Sequence, residues 1–169
     1  MITKNPMQLK AFIKNKAAEK HISAQLVMQN YMLERLLERI SLSPYKHNFI
    51  LKGGFLISAI VGLDTRATMD LDTTIKGFTL THEAILSIFK VICDIQISDD
   101  VQFEVIGVSD IRETDDYPGL KLFCPAALPT PVQETIMIYI FCMCCAVQNV
   151  IPQRCVKRWS GQLKNAVAK

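Results

Sequence analysis

The stretch that most constrains the fold is FILKGGFLISAIVGLDTRATMDLDTTIKG, from Phe49 to Gly77. A short apolar run ends at Lys52-Gly53-Gly54, a second apolar run follows, and Asp70 and Asp72 then stand one residue apart. Met69 to Ile75 reads as a strand. Side chains alternate faces along a strand, so the two carboxylates share one face with Cα atoms about 7 Å apart, and Leu71 between them turns to the core. Like charges that close repel unless a cation or solvent lies between them. Carboxylates converging in this way suit one or two Mg²⁺ ions, which take hard oxygen ligands. A solvated strand edge is the plainer account of an Asp-x-Asp.

Upstream, Phe49 to Leu51 has the character of a buried strand and Phe55 to Val61 that of a helix closed by Gly62. A strand–Gly-Gly–helix junction leaves backbone N–H groups open at the helix start, which is a cradle for phosphate. Lys52 and Arg66 flank it as phosphate partners. The junction is not a Walker A loop, since no G-x-x-x-x-G-K-[ST] is present.

Around this stretch the chain alternates helices and strands, which predicts an α/β or α+β layer fold with a mixed sheet flanked by helices. A short helix is expected from about Pro6 to Glu19. A longer one follows, capped by Ser23, with Leu26, Met32, Leu33, Leu36, Leu37 and Ile40 inward and Glu34, Arg35, Glu38 and Arg39 on the solvated side. Pro44 ends it. Thr79 or Thr81 caps a further helix through about Cys93, with Ile85, Ile88, Phe89 and Ile92 on one face. Val101 to Val108 predicts a strand with Val101, Phe103 and Val105 opposed to Gln102 and Glu104, and Lys121 to Phe123 opens another.

At 169 residues the chain is long enough for one domain with a real core, and a formal net charge of +3 permits but does not demand a nucleic-acid partner. Met1 to Lys20 has no apolar h-region, so no signal peptide is expected. Ile136 to Val147 is too short an apolar run for a membrane span. Five of the six Cys crowd into the last third, and Cys142 and Cys145 form a Cys-x-x-Cys with no second pair. Neither a disulfide framework nor a zinc site is expected from that pattern, and reduced thiols in a cytoplasm are. His21, His47 and His82 fall near element ends, where surface or capping roles suffice.

After Phe123 the composition changes. CPAALPTPVQETIMIYIFCMCCAVQNVIPQRCVKRWSGQLKNAVAK holds one acidic residue, Glu134, and ends basic with one Trp. The expected organisation is therefore a domain over residues 1–122 and an atypical, Cys-rich tail over 123–169, as a truncated or frame-shifted gene would give.

LKGGFLISAIVGLDTRATMDLDTTIKG resembles the core motif of the AbiEii/AbiGii-type toxin family of nucleotidyltransferases. That family shows a Leu-Lys-Gly-Gly turn followed by Arg-x-Ser/Thr-x-Asp-Leu/Ile-Asp. FEVIGVSDIRETDDYPGLKL, Phe103 to Leu122, and the two-helix opening are similar to its other segments, so the resemblance covers about Met1 to Leu122. It implies a DNA-polymerase-β-like nucleotidyltransferase fold, incomplete at the C-terminus here. It also implies Mg²⁺ held by Asp70 and Asp72, an NTP triphosphate cradled by Gly53 and Gly54 with Lys52 in support, and Arg66 and Thr68 orienting the loop or touching phosphate. The implied function is transfer of a nucleotide to an RNA, tRNA among the candidates, or to a protein acceptor. The chain would then be the toxin of a toxin–antitoxin or abortive-infection system, with a separate antitoxin as partner. The family pattern continues with a strand bearing a third carboxylate, then a helical half with a further Lys. LKLFCPAALPT supplies no acid, and Glu104 is the residue that would substitute. Two other functions stay open: a catalytically dead remnant that binds nucleotide or a protein partner, and a structural α/β domain with solvated carboxylates.

Overall fold

The computed structural model describes residues 6–61, 70–111, 119–128 and 133–142. Their order is α1 (Pro6–Lys20), α2 (Ala24–Leu42), β1 (Phe49–Lys52), α3 (Gly53–Val61), β2 (Asp70–Ile75), α4 (His82–Cys93), β3 (Gln102–Phe103), β4 (Gly107–Asp110), β5 (Gly119–Ala127) and β6 (Gln133–Cys142). The expected mixed sheet with helices is present. Its strands run β1-β2-β6-β5-β3, with β4 also on β5. β2 and β6 are parallel, and the other pairs are antiparallel.

Local chemistry explains the helix starts. Ser23 caps α2 by accepting from the Leu26 N–H, and Thr81 caps α4 by accepting from the Ala84 N–H, each at 3.2 Å. Leu71, Leu120, Leu122, Ile138 and Ile140 lie on one face of the sheet and are buried with Leu33, Leu36, Ile85 and Phe89 of α2 and α4. Phe49 of β1 meets Phe89 of α4 edge to face, 5.7 Å between ring centroids. No helix among the described residues is long and apolar enough to cross a membrane.

Three expectations change. The polar side of α2 is not a solvated face, because Arg35 and Arg39 are each only 2% exposed. Arg39 donates to both Asp99 carboxylate oxygens, at 2.8 and 2.9 Å, and to the Val101 carbonyl at 2.6 Å, with its guanidinium 4.8 Å from the Phe103 ring centroid. Periodicity detects charge, and it cannot detect a carboxylate sixty residues away that neutralises it. Burial also raises the Glu34 carboxyl above its usual range.

The strand expected over Val101–Val108 is split. Phe103 pairs with Ala126 and Gly107 with Phe123, so four steps on one strand match three on the other. The extra residue is a bulge, and it shifts the inward positions from Phe103 to Val108, the partner of the core residue Leu122.

The compositional change at Phe123 does not end the sheet. β5 runs through that position to Ala127, and β6 lies between β5 and β2. The CMCC segment beyond Cys142, like the basic end of the chain, lies outside the described residues.

Candidate active site on the open face of the sheet

Asp70 and Asp72 sit on the face of β2 opposite the core, as strand alternation requires, while Leu71 between them is fully buried. β1 brings Lys52 beside them, since Lys52 is the register partner of Asp72. The chain then turns at Gly53, whose φ of 69° lies in the left-handed region that glycine tolerates best. α3 begins there, and the Gly54 N–H donates to the Asp72 carboxylate. A Cβ on Gly53 would overlap the Asp72 carboxylate outright. The Gly-Gly pair therefore does two jobs. The first glycine supplies the turn and the close approach, and the second supplies an N–H at the positive end of a helix.

Electrostatics at Asp72 are opposed. Burial raises its carboxyl above the usual range, the neighbouring Asp70 charge raises it further, and Lys52 and the Gly54 N–H pull the other way. The Asp70 Oδ1 atom is enclosed and lacks a hydrogen-bond donor. An enclosed carboxylate oxygen without a donor, paired with a second carboxylate on the same face, fits a hard divalent cation. Among the described residues, no cluster of three or more His, Cys, Asp or Glu side chains is placed to hold a metal. Among the described residues, Asp70 and Asp72 are therefore the carboxylates that share this face beside the Gly53-Gly54 turn.

Glu104 does not complete the set. It is exposed, and its N–H bonds to the Pro125 carbonyl on β5, so three strand spacings, on the order of 14 Å, separate its backbone from β2. The position opposite Asp72 on β6 is taken by Tyr139, which is also the register partner of Lys121 on β5. Neither residue carries a local signal in the sequence, because only the pairing of β2, β6 and β5 puts them in the row with Asp72. Arg66 and Thr68 lie outside the described residues.

The family profile described as "Nucleotidyl transferase AbiEii toxin, Type IV TA system" matches residues 35–150. The chain belongs to the AbiEii family. The match begins inside α2 and runs past Phe123, so the segment set apart by composition includes family sequence through β6. No curated protein matches. A crystal structure of an H. pylori protein assigned as a nucleotidyltransferase is similar over 77% of this chain, at 15% identity and a TM-score of 0.46. The AbiEii-family chain spans about half, 52%, of that protein's length.

Proposed function

We propose that this AbiEii-family chain is a Mg²⁺-dependent, cytoplasmic toxin that takes an NTP and transfers its nucleoside monophosphate to an RNA acceptor, tRNA among the candidates, until a cognate antitoxin blocks it. The observation that carries this reading is the convergence of Asp70, Asp72, Lys52 and the α3 N-terminus on one open face. Asp70 and Asp72 would hold the metal, which when bound supplies charge neutralisation and orientation for the triphosphate. The positive end of α3 beside the Gly53-Gly54 turn favours phosphate oxygens, and Lys52 adds a cation on the same side. In the transfer, an acceptor oxygen forms a bond to the α-phosphorus and the bond from that phosphorus to the bridging oxygen breaks. Pyrophosphate leaves, and the acceptor proton passes to solvent.

Tyr139 opposite Asp72 favours a second reading, in which nucleotide is bound without being transferred. Calorimetry with each of the four NTPs, with and without Mg²⁺, tests the binding in wild type and Asp72→Asn. Labelled-nucleotide incorporation into total RNA then tests the transfer. Mg²⁺-dependent binding lost in the variant, together with incorporation, supports the first reading. Binding without incorporation leaves the second, and no binding by the folded protein removes both.

A further inference from the structure

We propose that the open face of β5 and β6 beside Asp72 is a stacking platform for a single-stranded RNA end. The proposal deepens the acceptor reading above and rests on it. The row across the sheet runs Lys52, Asp72, Tyr139, Lys121, Ser109, each the register partner of the next. Lys52 and the Gly53-Gly54 turn occupy the β1 side of Asp72, where the triphosphate is assigned. The acceptor is left the other side, and there the residue types change.

Lys121 holds its Nζ 5.1 Å from the Phe123 ring centroid and 5.4 Å from that of Tyr139. All three side chains are half-buried, whereas Leu120, Leu122, Ile138 and Ile140 on the opposite face are closed into the core. Among the described residues no carboxylate forms an ion pair with Lys121. Two part-open rings and an ammonium that no described carboxylate pairs, on neighbouring strands, match what single-stranded nucleic acid offers. Bases stack on the rings, and a backbone phosphate takes the cation. A duplex hides its base faces and does not fit.

The test uses the full chain and a fluorescein-labelled single-stranded RNA, read by anisotropy without NTP, beside a duplex of the same sequence. Preference for the single strand is expected. Tyr139→Leu should weaken binding about five-fold or more. Tyr139→Phe, which keeps the ring, should leave it unchanged. Lys121→Gln should reduce the slope of log affinity against log salt by about one. Both Tyr139→Leu and Lys121→Gln should keep the wild-type melting temperature and Mg²⁺-dependent NTP binding, and Asp72→Asn should keep RNA binding. Equal affinity for duplex, or unchanged affinity in Tyr139→Leu and Lys121→Gln, overturns the platform. NTP binding without RNA binding removes the platform and leaves the nucleotide site standing, while RNA binding without NTP binding does the reverse.

Discussion

Gly53 lies so close against the Asp72 carboxylate that no side chain fits between them, and its backbone adopts a left-handed conformation that other residues resist. The turn and the carboxylate are thus one unit, with α3 starting where the charge sits.

Gly53→Ala should cost about 1–3 kcal/mol, from left-handed strain together with displacement of the Asp72 side chain. Urea unfolding reads the stability, and calorimetry should show weakened NTP binding in whatever folds. A variant equal to wild type in both would mean that the close approach does not matter.

Asp72 should make stability depend on pH in an unusual direction. Its carboxyl is raised in the folded protein, by burial and then by Asp70, so the folded state binds a proton more readily than the unfolded chain. That contribution is full below the unfolded value, about 3.9, and is lost as pH rises through the folded one. Asp72→Asn should therefore melt above wild type at pH 7, with the gap closing toward pH 4. Saturating Mg²⁺ with NTP should raise the wild type, by about 2.7 kcal/mol at a hundredfold excess over Kd, and not the variant. Melting curves across pH, with and without ligand, check both signs, and a variant that melts lower at pH 7 contradicts the first.

The Arg39–Asp99 pair is buried on both sides, at 3% and 0% side-chain exposure, and holds α2 to the segment leading into β3. Asp99→Ala leaves a guanidinium enclosed without its carboxylate, a loss of about 3–5 kcal/mol. Denaturant unfolding measures it. A loss below about 1 kcal/mol would show that Arg39 finds water or another acceptor.

Tyr139→Asp places a third carboxylate at the register position of Asp72. It should tighten Mg²⁺-dependent NTP binding while weakening binding of single-stranded RNA. Parallel calorimetry and anisotropy separate the two effects. If nucleotide binding does not tighten, a carboxylate at this position of β6 does not share the cation with Asp70 and Asp72.

Ser23 and Thr81 mark their helices, the face of α4 follows its apolar spacing, and Asp70, Leu71 and Asp72 alternate as a strand of their composition must. These are effects of neighbours within a few residues, so the sequence states them directly. The strand–Gly-Gly–helix junction belongs with them, because glycine and a following apolar run carry their own conformational preferences. So does the family motif, which is contiguous.

Other features depended on partners distant in the chain. Arg39 reads as solvated until Asp99 meets it inside the core. Residues 133–142 read as an odd apolar run until β2 and β5 take them in as a central strand. The bulge between Phe103 and Gly107 exists only against β5. By itself the sequence determined the two carboxylates, the glycine turn beside them and the helices around them. Tertiary structure alone decided that Tyr139 and Lys121 extend the row, and that Glu104 stands outside it. Strand register is set by hydrogen bonds and packing between segments far apart in the chain, and no local pattern encodes which residue will face which.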